Sequence, residues 1–114
     1  MQHRDLFLGF VKLHILYHAA LEPVFGLELI RELARHGYTL SPGTLYPVLH
    51  RLAEQKLLRV HSETVGGKVR KYYRATAKGR RALTEGIDKA MELLNEIGGY
   101  ATRVKTGKCC PPHR

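Results

Sequence analysis

Ser41-Pro-Gly-Thr-Leu-Tyr-Pro-Val-Leu-His-Arg-Leu52 decides the fold, because it reads as a helix with one face made for a core and the other left polar. Ser41 suits the N-cap, where a hydroxyl accepts from a free backbone N–H of the first turn, and Pro42 suits the first helical position, where its missing N–H costs nothing. Leu45, Val48, Leu49 and Leu52 recur on a single stripe. Gly43, Thr44, Tyr46, His50, Arg51 and Glu54 fall on the opposite side. Pro47 breaks the local rule: inside a helix it removes one backbone hydrogen bond, and its ring crowds the carbonyl of Gly43.

Upstream, a helix is expected from about Gly26 to His36, with Leu29, Ile30, Leu33 and Ala34 facing inward and Gly37 closing it in a left-handed cap. The loop from Tyr38 to Leu40 joins it to the Ser41 helix, so the pair forms a helix-turn-helix. Before it, the segment from Leu6 to Leu21 is apolar almost all round, and Asp5 is placed to cap it. Such a helix is buried in its own core, between subunits, or both. His14 and His18, four residues apart, share one of its faces as a possible metal pair, but no carboxylate or cysteine lies at helical spacing beside them to complete a ligand set.

Downstream, Leu57, Leu58 and Val60 open a strand, Val65-Gly66-Gly67 supplies a turn, and Lys68-Val-Arg-Lys-Tyr-Tyr-Arg74 returns as its partner. Alternation puts Lys68, Arg70, Tyr72 and Arg74 on one face and Val69, Lys71 and Tyr73 on the other. Cations on both faces suit an arm reaching into solvent better than a strand in a dry core. The net charge of +9 is concentrated here. From Ser41 to Arg81 there are ten basic residues against two acidic ones, whereas the first forty residues balance four against four. A surface that served only solubility would not segregate charge in this way, and a local excess of positive charge draws phosphate polyanions.

Thr76 reads as the N-cap of a last long helix in which Leu83, Ile87, Ala90, Met91, Leu94 and Ile97 form one stripe. Nothing later in the chain is expected to cover that stripe, so it is assigned to a partner chain, together with Leu6 and Phe10 of the first helix. The expected organisation is a winged helix-turn-helix over residues 1–76, a dimerisation helix over 77–99 and a basic flexible tail over 100–114. The fold class is mainly α with a β-hairpin wing.

The Gly-Thr-Leu-Tyr-Pro segment followed by the Gly-Gly turn and the basic Arg70-Lys-Tyr-Tyr run resembles the PadR family of bacterial transcriptional regulators, and the resemblance extends from Leu6 to Thr76. It implies a winged helix-turn-helix that dimerises through its terminal helices and usually represses transcription, with release by an effector. The matching DNA contacts are Ser41, Gly43, Thr44, Tyr46, His50 and Arg51 on the helix, and Gly66, Gly67, Lys68, Arg70, Lys71, Tyr72 and Tyr73 on the wing. Thr44, Tyr46 and His50 would meet bases or groove walls, and Lys68, Arg70 and Lys71 would meet phosphates or the minor groove of a pseudo-palindromic operator. Tyr72 and Tyr73 have wing-to-core packing as the alternative. The final helical region is shorter than is common in the family.

Other classes are less well supported. Lys105-Thr-Gly matches a fragment of a penicillin-binding motif, but neither Ser41 nor Ser62 is followed at three residues by lysine. Gly66-Gly-Lys68 lacks the spacing and hydroxyl residue of a phosphate loop. No enzyme and no required cofactor are expected. A protein-docking module would use an apolar patch and would not need two cationic strand faces beside a polar helix. The segment Leu6 to Leu21, interrupted by Lys12, His14 and His18, is too short and polar to span a bilayer and lacks the features of a secretory signal, so a cytoplasmic protein is expected. Cys109 and Cys110, with His113 nearby, are either idle thiols on a basic tail or a site for a thiophilic metal, metalloid or redox effector. Phe7, Phe10, Tyr17 and Met91 could line a small-molecule effector site, though core packing explains each equally well.

Overall fold

In the computed structural model, which describes residues 3–105, eight elements follow one another: α1 (Arg4–Leu21), β1 (Val24–Phe25), α2 (Gly26–Arg35), α3 (Pro42–Glu54), β2 (Leu58–Val65), β3 (Lys68–Ala75), α4 (Ala77–Ile97) and α5 (Tyr100–Lys105). The chain divides after Thr84 into two units. The first holds everything up to the opening turns of α4, and the second holds the rest of α4 with α5.

Within the first unit a single core collects Val11, Ile15, Leu16 and Ala19 from α1, Leu29 and Leu33 from α2, Leu45, Leu49 and Leu52 from α3, and Leu58, Tyr73 and Ala75 from the sheet. Each fully buried leucine is worth roughly 1.5–3 kcal/mol relative to exposure. The α3 stripe is therefore the helix's main anchor. Val48, the fourth member of that stripe, is half-buried against the same cluster.

The helix-turn-helix forms where expected. Helix α2 ends one residue before the expected His36, which is its C-cap, and Gly37 follows at φ 89°. The Tyr38 N–H donates to Leu33 O at 2.9 Å and the Gly37 N–H to Ala34 O at 3.1 Å, the two reversed bonds of a Schellman cap. At the other end, Glu28 Oε1 accepts from the Phe25 N–H at 3.2 Å. Helix α3 ends the same way. Lys56 takes the left-handed conformation, φ 65°, and the Leu57 N–H donates to Leu52 O at 2.9 Å. A left-handed non-glycine residue costs roughly 1–2 kcal/mol, so that turn is held against a local penalty.

Two cap assignments differ from expectation. The Ser41 hydroxyl donates to Thr44 Oγ1 at 3.3 Å and caps no N–H; its backbone carbonyl accepts from Thr44 and Leu45 instead. Asp5 lies inside the first turn of α1, whose N-cap is His3. Thr76 does cap α4. Its Oγ1 accepts from the Gly79 N–H at 2.9 Å and donates to Lys56 O at 2.6 Å. Gly79 is buried against Leu57, whose carbonyl a Cβ would overlap, so only glycine lets α4 start this close to the segment between α3 and β2.

The sheet holds three strands in the order β1-β3-β2, all antiparallel. The hairpin was expected; the short strand β1 was not, because two residues are too few to show a period. The hairpin turn is two residues long, with Gly66 at φ 57° and Gly67 at φ 80°, both in the region a primed turn requires. Among the described residues, 100–105 form a helix where a flexible tail was expected. Leu83, assigned to the partner-facing stripe, is half-buried against the core of its own chain. Ala90 is half-buried, whereas Met91 and Leu94 are 61% and 64% exposed, and Ile87 and Ile97 are also exposed. Leu6 and Phe10 of α1 are exposed as well.

Candidate nucleic-acid interface

The leucines of α3 turn its other face outward, and the sheet register fixes the wing beside it. Ser41, Gly43, Tyr46, His50 and Arg51 are exposed and Thr44 is half-buried. A Cβ built on Gly43 would meet only the Ser41 hydroxyl oxygen, at 3.8 Å, so packing within the chain does not demand glycine there. Its lack of a side chain leaves the first turn of α3 open to close approach by another molecule.

Tyr46 has a second attachment that the sequence did not reveal. Its hydroxyl and ring edge lie against Gly26 at the start of α2, where a Cβ would collide with them. One edge of the ring is thus used inside the helix-turn-helix, while the residue stays partly open to solvent.

On the wing, Gly66, Gly67, Lys68, Arg70 and Lys71 are all exposed. Tyr72 and Tyr73 separate. Tyr72 is half-buried, stacked on His61 with centroids 5.6 Å apart and meeting Phe25 edge-on at 5.6 Å. Tyr73 is 1% exposed and belongs to the core, so its assignment as a DNA contact is corrected. The face of β3 that carries Tyr73 and Ala75 turns inward at the wing base, where the helical core with α1 packs against the strand. Burial, and then the neighbouring Tyr46 phenol, push the Tyr73 hydroxyl above the usual tyrosine range.

The aromatic platform at the wing base also places a cation. The Arg70 guanidinium lies 4.6 Å from the centroid of the Phe25 ring. Phe25 and His61 were missing from the expected site, since the contacts that recruit them join residues distant in sequence.

Between α3 and the hairpin, His50, Ala53, Glu54, Val60, Lys71 and Tyr73 line a groove of about 320 Å³. This groove brings His50 and Lys71, expected on separate elements, to one surface. Among the described residues, no carboxylate lies within 4.0 Å of Arg51, Arg59, Lys68, Arg70, Lys71 or Arg74. Glu63, the one acid on the wing, pairs with His61 at 3.4 Å. Other members of the basic segment are already engaged: Lys78 donates to Gln55 O at 3.0 Å and Arg80 to Ala75 O at 3.2 Å. Six cations without a carboxylate partner among the described residues thus lie on α3 and the wing. Cys109, Cys110 and His113 lie outside the described residues. No described helix is long and apolar enough to cross a membrane.

Residues 15–85 match the Transcriptional regulator PadR-like family. The chain is 53% identical over 89 residues to the transcriptional regulator Rv3488 of Mycobacterium tuberculosis (strain ATCC 25618 / H37Rv), covering 78% of this chain and 83% of that one. Among solved structures, it is similar to a PadR-like transcriptional regulator from Bacillus cereus strain ATCC 14579, with TM-score 0.77, 30% identity, and coverage of 85% of this chain and 96% of that one. A PadR family regulator from Eggerthella lenta DSM 2243 gives TM-score 0.75 and 35% identity, with coverage of 85% and 86%.

Proposed function

The chain belongs to the PadR-like family of transcriptional regulators, and on that footing we propose that it is a homodimeric DNA-binding repressor whose interface is the open face of α3 together with the wing. The observation that carries this reading is the set of cations on α3 and the hairpin that lack carboxylate partners among the described residues, beside a helix held by three buried leucines. A helix fixed in this way presents Thr44, Tyr46 and His50 to a major groove in a constant pose. Lys68 and Lys71 then track the flanking backbone or minor groove, with Arg70 held on its aromatic support. Gly43 allows the sugar-phosphate backbone to approach the first turn of α3.

Dimerisation follows from the apolar residues that α4 leaves uncovered. Ile87, Met91, Leu94 and Ile97 repeat at helical spacing and are exposed, and a second copy of the same helix is the occupant that the family resemblance implies. Two copies present two recognition helices to a pseudo-palindromic operator. Release by an effector completes the repressor reading.

Fluorescence anisotropy tests it, using a labelled duplex from upstream of this protein's own gene against a scrambled duplex across a salt series. If each protomer engages about three or four phosphates, the dimer gives a slope of roughly −5 to −7 in log affinity against log salt. Preference for the upstream duplex by at least about tenfold supports sequence-specific binding, since a single mismatched pair already costs ~1–3 kcal/mol. A slope near −1 removes the assignment. Sedimentation as a monomer at micromolar concentration removes the dimer.

A further inference from the structure

The histidine pair that the sequence left incomplete gains a third member in space. His14 and His18 lie one turn apart on α1, and His36 arrives as the C-cap of α2, its position set by the reversed turn at Gly37. One ring nitrogen from each lies within 4.8 Å of the others. We infer that His14, His18 and His36 form a binding site for a single divalent transition-metal ion of the zinc class.

The geometry is close to what such an ion needs. Zinc–nitrogen bonds of about 2.0–2.1 Å in a tetrahedron put ligand nitrogens roughly 3.3 Å apart. Small rotations of the rings close the remaining distance, and the exposed His36 ring has room to make the largest one. The rings are already gathered: His14 stacks on His36 with centroids 4.6 Å apart and meets Tyr38 edge-on at 5.4 Å.

The donor chemistry points the same way. His18 Nε2 is buried with no hydrogen-bond partner among the described residues. A buried polar atom without a partner is costly, and a metal bond to that nitrogen would remove the cost. The carboxylate nearest to it, Glu32 Oε2, is 4.0 Å away, and Glu32 is shared with Arg35, whose guanidinium is 3.1 Å from its other oxygen. Three imidazoles, with no thiolate or further carboxylate in the cluster among the described residues, favour zinc, cobalt, nickel or copper over calcium or magnesium. Three protein ligands leave a fourth position for water or an exchangeable ligand, unlike the closed four-ligand sets of structural zinc.

The site joins α1 to the turn that leads into α3, and its occupancy is independent of the DNA-binding reading. Cobalt(II) tests it, titrated into the full chain carrying C109S and C110S, so that the thiols cannot contribute. The expected result is one equivalent per chain, with the visible d–d bands of a tetrahedral site, no thiolate charge-transfer band, and loss of those bands when zinc is added. His36→Asn changes an exposed residue, so circular dichroism and metal-free thermal unfolding should be unchanged. Its cobalt affinity should fall by at least the roughly tenfold that loss of an outer partner alone causes. Failure to saturate at one equivalent, or equal binding by the His36→Asn variant, overturns the site and leaves the cluster as packing around a His18–Glu32 pair.

Discussion

Helix α3 sends Leu45, Leu49 and Leu52 into the core along its whole length, whereas the hairpin enters the core only at its base, through Leu58, Tyr73 and Ala75. Beyond that base every residue from Arg59 to Lys71 is exposed, with Val69 at 72%. Both elements carry positive charge to one surface, but they are held differently. The helix has little freedom because its position is fixed over three turns of buried contact. The wing tip is held by ladder hydrogen bonds and a two-glycine turn, with no burial of its own. That difference suits the proposed division of labour, in which α3 reads bases, where tenths of an ångström matter, and the wing meets phosphates, where charge matters more than pose.

The comparison is most easily broken by stability measurements. Tyr73→Ala should cost ~3–5 kcal/mol and Leu49→Ala ~2–5 kcal/mol in denaturant unfolding, while Val69→Ala stays within about 0.5 kcal/mol. A large cost at Val69 would show that the tip is anchored after all.

Replacing Lys68, Arg70 and Lys71 together by alanine should leave unfolding nearly unchanged and reduce the salt slope by roughly one for each phosphate no longer neutralised. Replacing Thr44 or His50 should instead weaken discrimination between operator and scrambled duplex, by ~1–3 kcal/mol for each base-reading side chain removed, with little change in slope. If both sets of variants changed only the slope, the proposed division between helix and wing would fail.

Lys56→Gly relieves the left-handed strain that ends α3 and should stabilise the chain by about 1 kcal/mol, seen as a shift in thermal midpoint.

The smallest effect concerns pH. Because the folded state raises the Tyr73 hydroxyl above its unfolded value of 10.0, that contribution to stability is fully present below pH 10.0 and is lost as pH rises through the folded value. Tyr73→Phe should flatten the alkaline slope of stability. An unchanged slope would mean that the phenol is not the group responsible.

Local signals made much of this protein legible. The α3 stripe, Gly37 closing α2, the Gly66-Gly67 turn and the Thr76 cap rest on period and on residues with few conformational alternatives, and all four appear in the fold. The segregation of charge is a property of composition along the chain and needed no coordinates. The failures share another character. Alternation placed Tyr72 and Tyr73 on opposite faces of β3 correctly, but which face turned inward depended on the helices that pack against the sheet, a contact no local period signals. Leu83 belongs to the same stripe as Met91, yet the core reaches only the first turns of α4.

The sequence by itself determined the helix-turn-helix, the wing and where the positive charge lies, because each depends on neighbours within a few residues. The tertiary structure alone decided that Tyr73 is core while Tyr72 is platform, that Tyr46 leans on Gly26, and that His36 joins His14 and His18. Those contacts join side chains from separate elements, and nothing in the spacing of a chain encodes a distance that arises only when packing brings the elements together.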